Sequence, residues 1–173
     1  MSIFSLIYKD YKQYSRWSKI PFHPFINVGF YINIIYRISQ FLYLIKLYPI
    51  AKVFWLLNRI IFSVDIEPKA KLAGGLVIVH GCGIVIGSYV QTYGSIKIYQ
   101  GATLGANLNK TKVIDNREIS MPQIYPGVTI GINAVVVGPI VIGRNSRIGS
   151  NAVVTKDVKE DSTIIGVNKQ LIR

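Results

Sequence analysis

Two histidines and one cysteine are the side chains of this sequence best suited to moving protons or attacking a carbonyl. An imidazole titrates near neutrality, so it can take a proton from a hydroxyl and return it to a leaving group. His23, in Pro21-Phe22-His23-Pro24, sits in an irregular aromatic segment and reads as structural. His80 follows Ile78 by two residues, and Gly81 and Gly83 beside it leave room for a substrate to approach. Spacing alone leaves His80 open between a general base and a surface imidazole. Cys82 falls where the pattern elsewhere puts small inward residues, so it reads as a buried hydrophobe and not as a thiolate nucleophile. Lys156, Lys159, Lys169 and Arg173 would suit a phosphate-bearing cofactor or a merely solvated end. No Walker loop, dinucleotide fingerprint or Ser-His-Asp spacing is present.

A repeat positions these residues. Ile124, Ile130, Val136, Ile142, Ile148 and Val154 recur every six positions; Ile66, Leu72 and Ile78 keep the same interval, and Ile86, Thr92, Ile98 and Leu104 resume it after a two-residue slip. Glycine often follows the aliphatic residue (Gly87, Gly105, Gly131, Gly143, Gly149), which is expected to supply positive φ at a turn. A six-residue unit holds one short strand and one turn and cannot bury an apolar face alone. Stacked units, three to a triangular coil, give a continuous narrow core. The expected fold is mainly β, a parallel β-helix over 65–173. An extended polar loop at about 106–123 breaks the period and is long enough to be functional.

Residues 1–64 form a different segment. They hold all seven phenylalanines, both tryptophans, seven of the eleven tyrosines, eight basic residues and one acid, Asp10. Tyr31, Ile34, Ile35, Ile38, Phe41, Leu42 and Ile45 make a helical stripe, with Asn33, Arg37 and Gln40 off it, and Pro49 separates a second helix from about Ala51 to Phe62. These helices are expected to pack on a neighbour or to rest a basic aromatic face on a membrane. Charges interrupt the apolar run too often for a spanning helix, and the first residues lack a secretory pattern, so a cytoplasmic protein, peripheral at most to the inner membrane, is expected. One cysteine excludes a disulfide framework and a Cys-rich zinc site, and no metal is expected. A net charge of +12 favours anionic partners, but no nucleic-acid-binding module accompanies it.

Val64-Asp65-Ile66-Glu67-Pro68-Lys69-Ala70-Lys71, Gly75-Leu76-Val77-Ile78-Val79-His80-Gly81-Cys82-Gly83-Ile84-Val85-Ile86-Gly87, Ile98-Tyr99-Gln100-Gly101-Ala102-Thr103-Leu104-Gly105 and the run from Gly127 to Asp157 resemble serine acetyltransferase and its relatives. The resemblance implies a left-handed β-helix, acetyl-CoA as co-substrate and a homotrimer with active sites between subunits. It makes His80 the general base and Asp65, fifteen residues earlier, the carboxylate that orients it. It also implies CoA contacts near Gly105, Ala106, Ala134 and Ser150, with Lys156 meeting a phosphate.

Three departures shape the expected substrate. Val79 stands where serine acetyltransferases carry Asp, Ser120-Met121 precede Pro122 where they carry Arg-His, and the helical part is short. A pocket without those charges suits a neutral acceptor. The expected function is therefore an acetyl-CoA-dependent O-acetyltransferase acting on a sugar hydroxyl of a bacterial surface polysaccharide or its precursor, with Asn107, Asn109 and Ser120 binding this carbohydrate. The alternatives are a serine O-acetyltransferase and a non-catalytic, membrane-docked β-helix scaffold.

Overall fold

The computed structural model describes residues 2–17, 23–114 and 116–166; Lys169 and Arg173 lie outside them. Four helices, α1 (Ile3–Trp17), α2 (His23–Ile26), α3 (Val28–Leu44) and α4 (Tyr48–Phe62), precede a stack of short parallel strands. The first face of the stack pairs Asp65–Ile66, Val85–Ile86, Thr103–Gly105, Val135–Val137 and Val153–Val154. The third face pairs Leu76–Ile78, Ile96–Ile98, Thr129–Ile130, Arg147–Ile148 and Thr163–Ile164. Between them, Gln91–Thr92, Gln123–Ile124 and Val141–Ile142 form the second face, extended by bridges at Lys71 and Val158. Each hexad residue pairs with its counterpart one coil away, and all thirteen are 5% exposed or less, Thr92 included. This is the parallel β-helix that the period requires.

The glycines after the aliphatic residues serve a different purpose from the expected one. Positive φ occurs instead three residues after the aliphatic, at Gly101, Gly127, Asn133, Asn145 and Asn151, where Gly or Asn tolerates the left-handed conformation. Gly131, Gly143 and Gly149 are required by crowding: a Cβ on Gly143 would lie 2.4 Å from Glu160 N, and one on Gly131 would lie 2.7 Å from Ile148 O.

The helices close the open first coil, with the polar side of α3 inward. Phe30, Ile32, Asn33, Tyr36, Arg37, Ser39 and Gln40 are buried, while Tyr31, Phe41 and Ile45 of the aliphatic stripe are exposed. The reason is that the edge strand Leu76–Ile78 and the turn before it present backbone groups with no coil beyond them. Arg37 donates to Leu72 O (2.6 Å) and Ala73 O (2.9 Å), Asn33 to Leu76 O (2.7 Å), and Tyr36 and Gln40 to Ala70 O. From α1, Asp10 Oδ1 accepts from Gly75 N (2.7 Å) and Leu76 N (2.9 Å), and Tyr14 OH accepts from Ile78 N while donating to its carbonyl. Asp10 and Arg37 also form a fully buried ion pair at 3.0 Å. Gly29 lets α3 approach this edge, since a Cβ there would lie 2.0 Å from Ile78 O. On α4, Ile50, Val53, Leu56, Leu57, Ile60 and Ile61 remain exposed. Among the described residues no helix is long and apolar enough to cross a membrane.

Candidate active site

His80 stands on the two-residue insertion between Ile78 and Ile86, at the corner joining the third face to the first. Backbone bonds pin that corner: Val79 N to Ile98 O (2.9 Å), Cys82 N to His80 O (3.1 Å), Gly83 N to Ser63 O (2.9 Å) and Gly101 N to Cys82 O (3.0 Å). The imidazole is exposed and faces the Tyr99 ring of the next coil, with centroids 6.4 Å apart. The insertion also corrects the reading of Cys82. Ile84 takes the inward place two residues before Ile86 and is fully buried, so the extra residues bulge outward and leave Cys82 exposed.

Asp65 opens the first strand beneath the same corner, with its N–H donating to Ile84 O at 2.8 Å. Its carboxylate is held from α4: Trp55 Nε1 donates to Oδ1 at 2.8 Å, and an Arg59 guanidinium nitrogen lies 3.7 Å from Oδ2. The Trp55 ring carries two cations, Arg59 at 4.7 Å and Lys52 at 4.1 Å, and Lys52 also bonds Glu67. Among the described residues the Asp65 carboxylate has no hydrogen bond to His80. Trp55 and Arg59 were not candidates from sequence, because a contact between a helix and the strand after it leaves no spacing signature.

The remaining candidates fall on two corners. Ala134 and Ser150 share the corner of His80, with Ala134 fully buried and its N–H and C=O bonded to Gly131 and Thr103, while Ser150 is exposed. Gly105, Ala106 and the exposed Lys156 lie on the opposite edge of the first face, where the long loop leaves the stack. A Cβ on Gly105 would meet nothing within 4 Å.

That loop contains an antiparallel hairpin, Lys112–Ile114 with Arg117–Ile119, folded over the second face. Lys112 Nζ bonds the Asp157 carboxylate, whose Oδ1 also accepts from Val141 N at 2.9 Å. Partial burial raises the Asp157 pKa, but the Lys112 hydrogen bond, the Val141 N–H and the Lys112 charge outweigh it and leave the group below its ordinary value. Beneath the hairpin lies a groove of about 980 Å³ lined by Lys71, Gln91, Tyr93, Arg117, Glu118 and Ser120 among others. Of the three expected acceptor contacts, Ser120 lines this groove. Asn107 packs against Gly138, and Asn109 is exposed elsewhere on the loop. Met121 turns toward the coils, its sulfur accepting from Tyr89 N at 3.3 Å.

A three-faced parallel β-helix built on a six-residue repeat, with one long loop leaving the stack, is the architecture of hexapeptide-repeat transferases. The bacterial transferase hexapeptide (six repeats) family matches residues 122–156. The chain is 32% identical over 171 residues to a serine acetyltransferase of Helicobacter pylori, covering 99% of this chain and 94% of that protein. It is 33% identical to the serine acetyltransferase of Buchnera aphidicola across its full length but spans only 66% of that protein. The crystal structure of Neisseria gonorrhoeae serine acetyltransferase in complex with serine superposes with a TM-score of 0.82 at 32% identity, covering 95% of this chain and 67% of that one. The chain belongs to the serine acetyltransferase family of hexapeptide-repeat transferases. A superposition this close requires the same hand, so the left-handed winding carries over. The similarity also overturns the expected polysaccharide O-acetyltransferase: it runs through helices, coils and loop alike, and it points to serine acetyltransferases.

Proposed function

We propose that this protein is a serine O-acetyltransferase that uses acetyl-CoA and works without a metal. The observation that carries the reading is His80 exposed on its glycine-flanked insertion, within a chain similar along nearly its whole length to the Helicobacter enzyme. His80 takes the proton of the serine hydroxyl as the oxygen attacks the thioester carbonyl. The tetrahedral intermediate then expels the CoA thiolate, which recovers that proton from the imidazolium. Asp65 orients the imidazole and stabilises its charged form, as in a triad whose nucleophile is the acceptor. Exchange of a Trp55 or Arg59 contact on substrate binding would free a carboxylate oxygen for this role.

CoA would lie against Gly105, Ala106, Ala134 and Ser150, with Lys156 near a phosphate. These residues occupy opposite edges of one face, an arrangement suited to a ligand held where the edge of one subunit abuts the edge of another. That geometry supports a homotrimer with sites between subunits. The direct test is thiol release from acetyl-CoA by the purified protein with L-serine. Turnover that depends on L-serine is expected, and none with L-serine at any concentration would refute the reading.

A further inference from the structure

The outer side of the α3–α4 hairpin is apolar. Ala51 and Asn58 turn inward on α4, so Ile50, Val53, Leu57, Ile60 and Ile61 fall on the opposite side of that helix and are exposed, Ile60 at 71%. Beside the start of α4, Phe41, Leu44 and Ile45 at the end of α3 and Leu47 in the connection are exposed as well, Leu44 at 72%. A monomeric soluble protein rarely carries so many large apolar side chains on two adjacent helices; they mark a contact surface.

The charges around this surface select its partner. Among residues 1–64 the single acid, Asp10, is buried, whereas Lys9, Lys12, Arg16, Lys46, Lys52 and Arg59 are exposed. Lys46 stands at the tip of the hairpin between Ile45 and Leu47, with no ion-pair partner among the described residues. A second copy laid on this face would bring the cations of both chains together with no exposed acid of the segment between them. A nucleic acid would match the charge but leave the apolar side chains wet. An anionic lipid surface answers both: apolar side chains enter the headgroup–acyl boundary while lysines stay at the phosphates.

We propose that the outer face of α3 and α4 docks on an anionic lipid surface, with α4 lying in the plane of the interface and Lys46 at the phosphates. Tyr43 and the exposed Tyr48, with ring centroids 5.0 Å apart at the same end of the hairpin, suit the headgroup level, where amphipathic rings collect. The contact is peripheral, since among the described residues no helix is long and apolar enough to cross. A three-fold axis would set three such faces at one height, so the homotrimer proposed above would dock through all of them at once.

The test uses the full chain and sedimentation with vesicles of phosphatidylcholine alone or mixed with phosphatidylglycerol, at low and high salt, with particle mass followed by light scattering. Wild type should partition onto the mixed vesicles, bind plain phosphatidylcholine more weakly and lose affinity as salt rises. Val53→Asp and Ile60→Asp lie at exposed positions and should each weaken binding at least about tenfold without lowering the melting temperature. Lys46→Ala should weaken it about fivefold. Wild type that ignores the mixed vesicles at low salt, or aspartate variants that bind them as tightly as wild type, overturns the proposal. A fall in particle mass in the aspartate variants also overturns it and assigns the face to another copy of the chain. Vesicle binding does not involve the acceptor, so the serine reading stands or falls separately.

Discussion

The indole N–H of Trp55 donates to Asp65 Oδ1 at 2.8 Å, so the carboxylate expected to orient His80 is itself set by a helix outside the β-helix. Lys52 and Arg59 stack on that indole and reach Glu67, just after the first strand, and Asp65 on it, which fastens α4 to the start of the coils. The short helical segment thereby becomes part of the site's support.

Substitutions at these positions should rank accordingly. His80→Ala removes the proposed general base and should lower kcat by roughly 10²- to 10⁴-fold with little change in melting temperature, because the imidazole is exposed. Asp65→Asn should cost less, and Trp55→Phe, which keeps a ring for the two cations but loses the donor, least of all. Steady-state rates with their pH profiles provide the check. A His80→Ala enzyme within about tenfold of wild type would remove the imidazole from the mechanism.

The coils were legible in the sequence because each hexad aliphatic reports one inward position, and all of them are buried. Cys82 departs from its expected buried place because the two-residue slip shifts the inward position to Ile84 and turns the cysteine out. The orientation of α3 was hidden for a different reason. Periodicity assumes that the apolar side faces the core, whereas here the partner is a strand edge and Asn33, Arg37 and Gln40 satisfy its carbonyls. The hairpin left no periodic trace, so the groove beneath it could be found only in three dimensions, although the charged residues of the loop stand plainly in the sequence.

The exposure of Cys82 is directly measurable. The native protein should release one equivalent of thionitrobenzoate per chain from a disulfide reagent without denaturant, since the thiol is solvent-accessible. Acetyl-CoA should slow the reaction, because Cys82 lies two residues from His80 on the same corner. A thiol that reacts only after unfolding would restore the buried reading.

The Asp10–Arg37 pair should be costly to break. Both side chains are fully buried, and between them they satisfy Gly75 N, Leu76 N, Leu72 O and Ala73 O at the edge of the stack. Removing one partner leaves a buried charge and orphaned backbone groups, an effect of about 3–5 kcal/mol in comparable settings. Arg37→Met and Asp10→Leu should each lower the melting temperature by many degrees. The double variant should recover only part of the loss, because apolar side chains cannot replace the backbone bonds. Full recovery in thermal unfolding would show that the pair matters only to itself.

The Lys112–Asp157 contact should act as an acid-sensitive clasp on the hairpin. The Asp157 carboxyl sits below its ordinary value of 3.8 in the folded chain, so its ionised form is favoured by folding. The contribution is therefore fully present above about pH 4 and is lost as the pH falls through the lower folded value. Both side chains are close to half exposed, which limits the contact to a surface pair of about 0.2–1 kcal/mol. Asp157→Asn isolates it, because the amide oxygen can still accept from Val141 N while the charge is gone. At neutral pH this variant should be cleaved by trypsin within the loop, at Lys110, Lys112 or Arg117, about two- to fivefold faster than wild type, in line with that energy. Hydrogen exchange of the 112–119 amides, corrected for intrinsic rates, should accelerate in wild type below about pH 4, and the Asn variant should show no such step. Equal cleavage of the two proteins, together with pH-independent protection in wild type, would mean that the hairpin is held by other contacts and that Asp157 serves only to cap Val141.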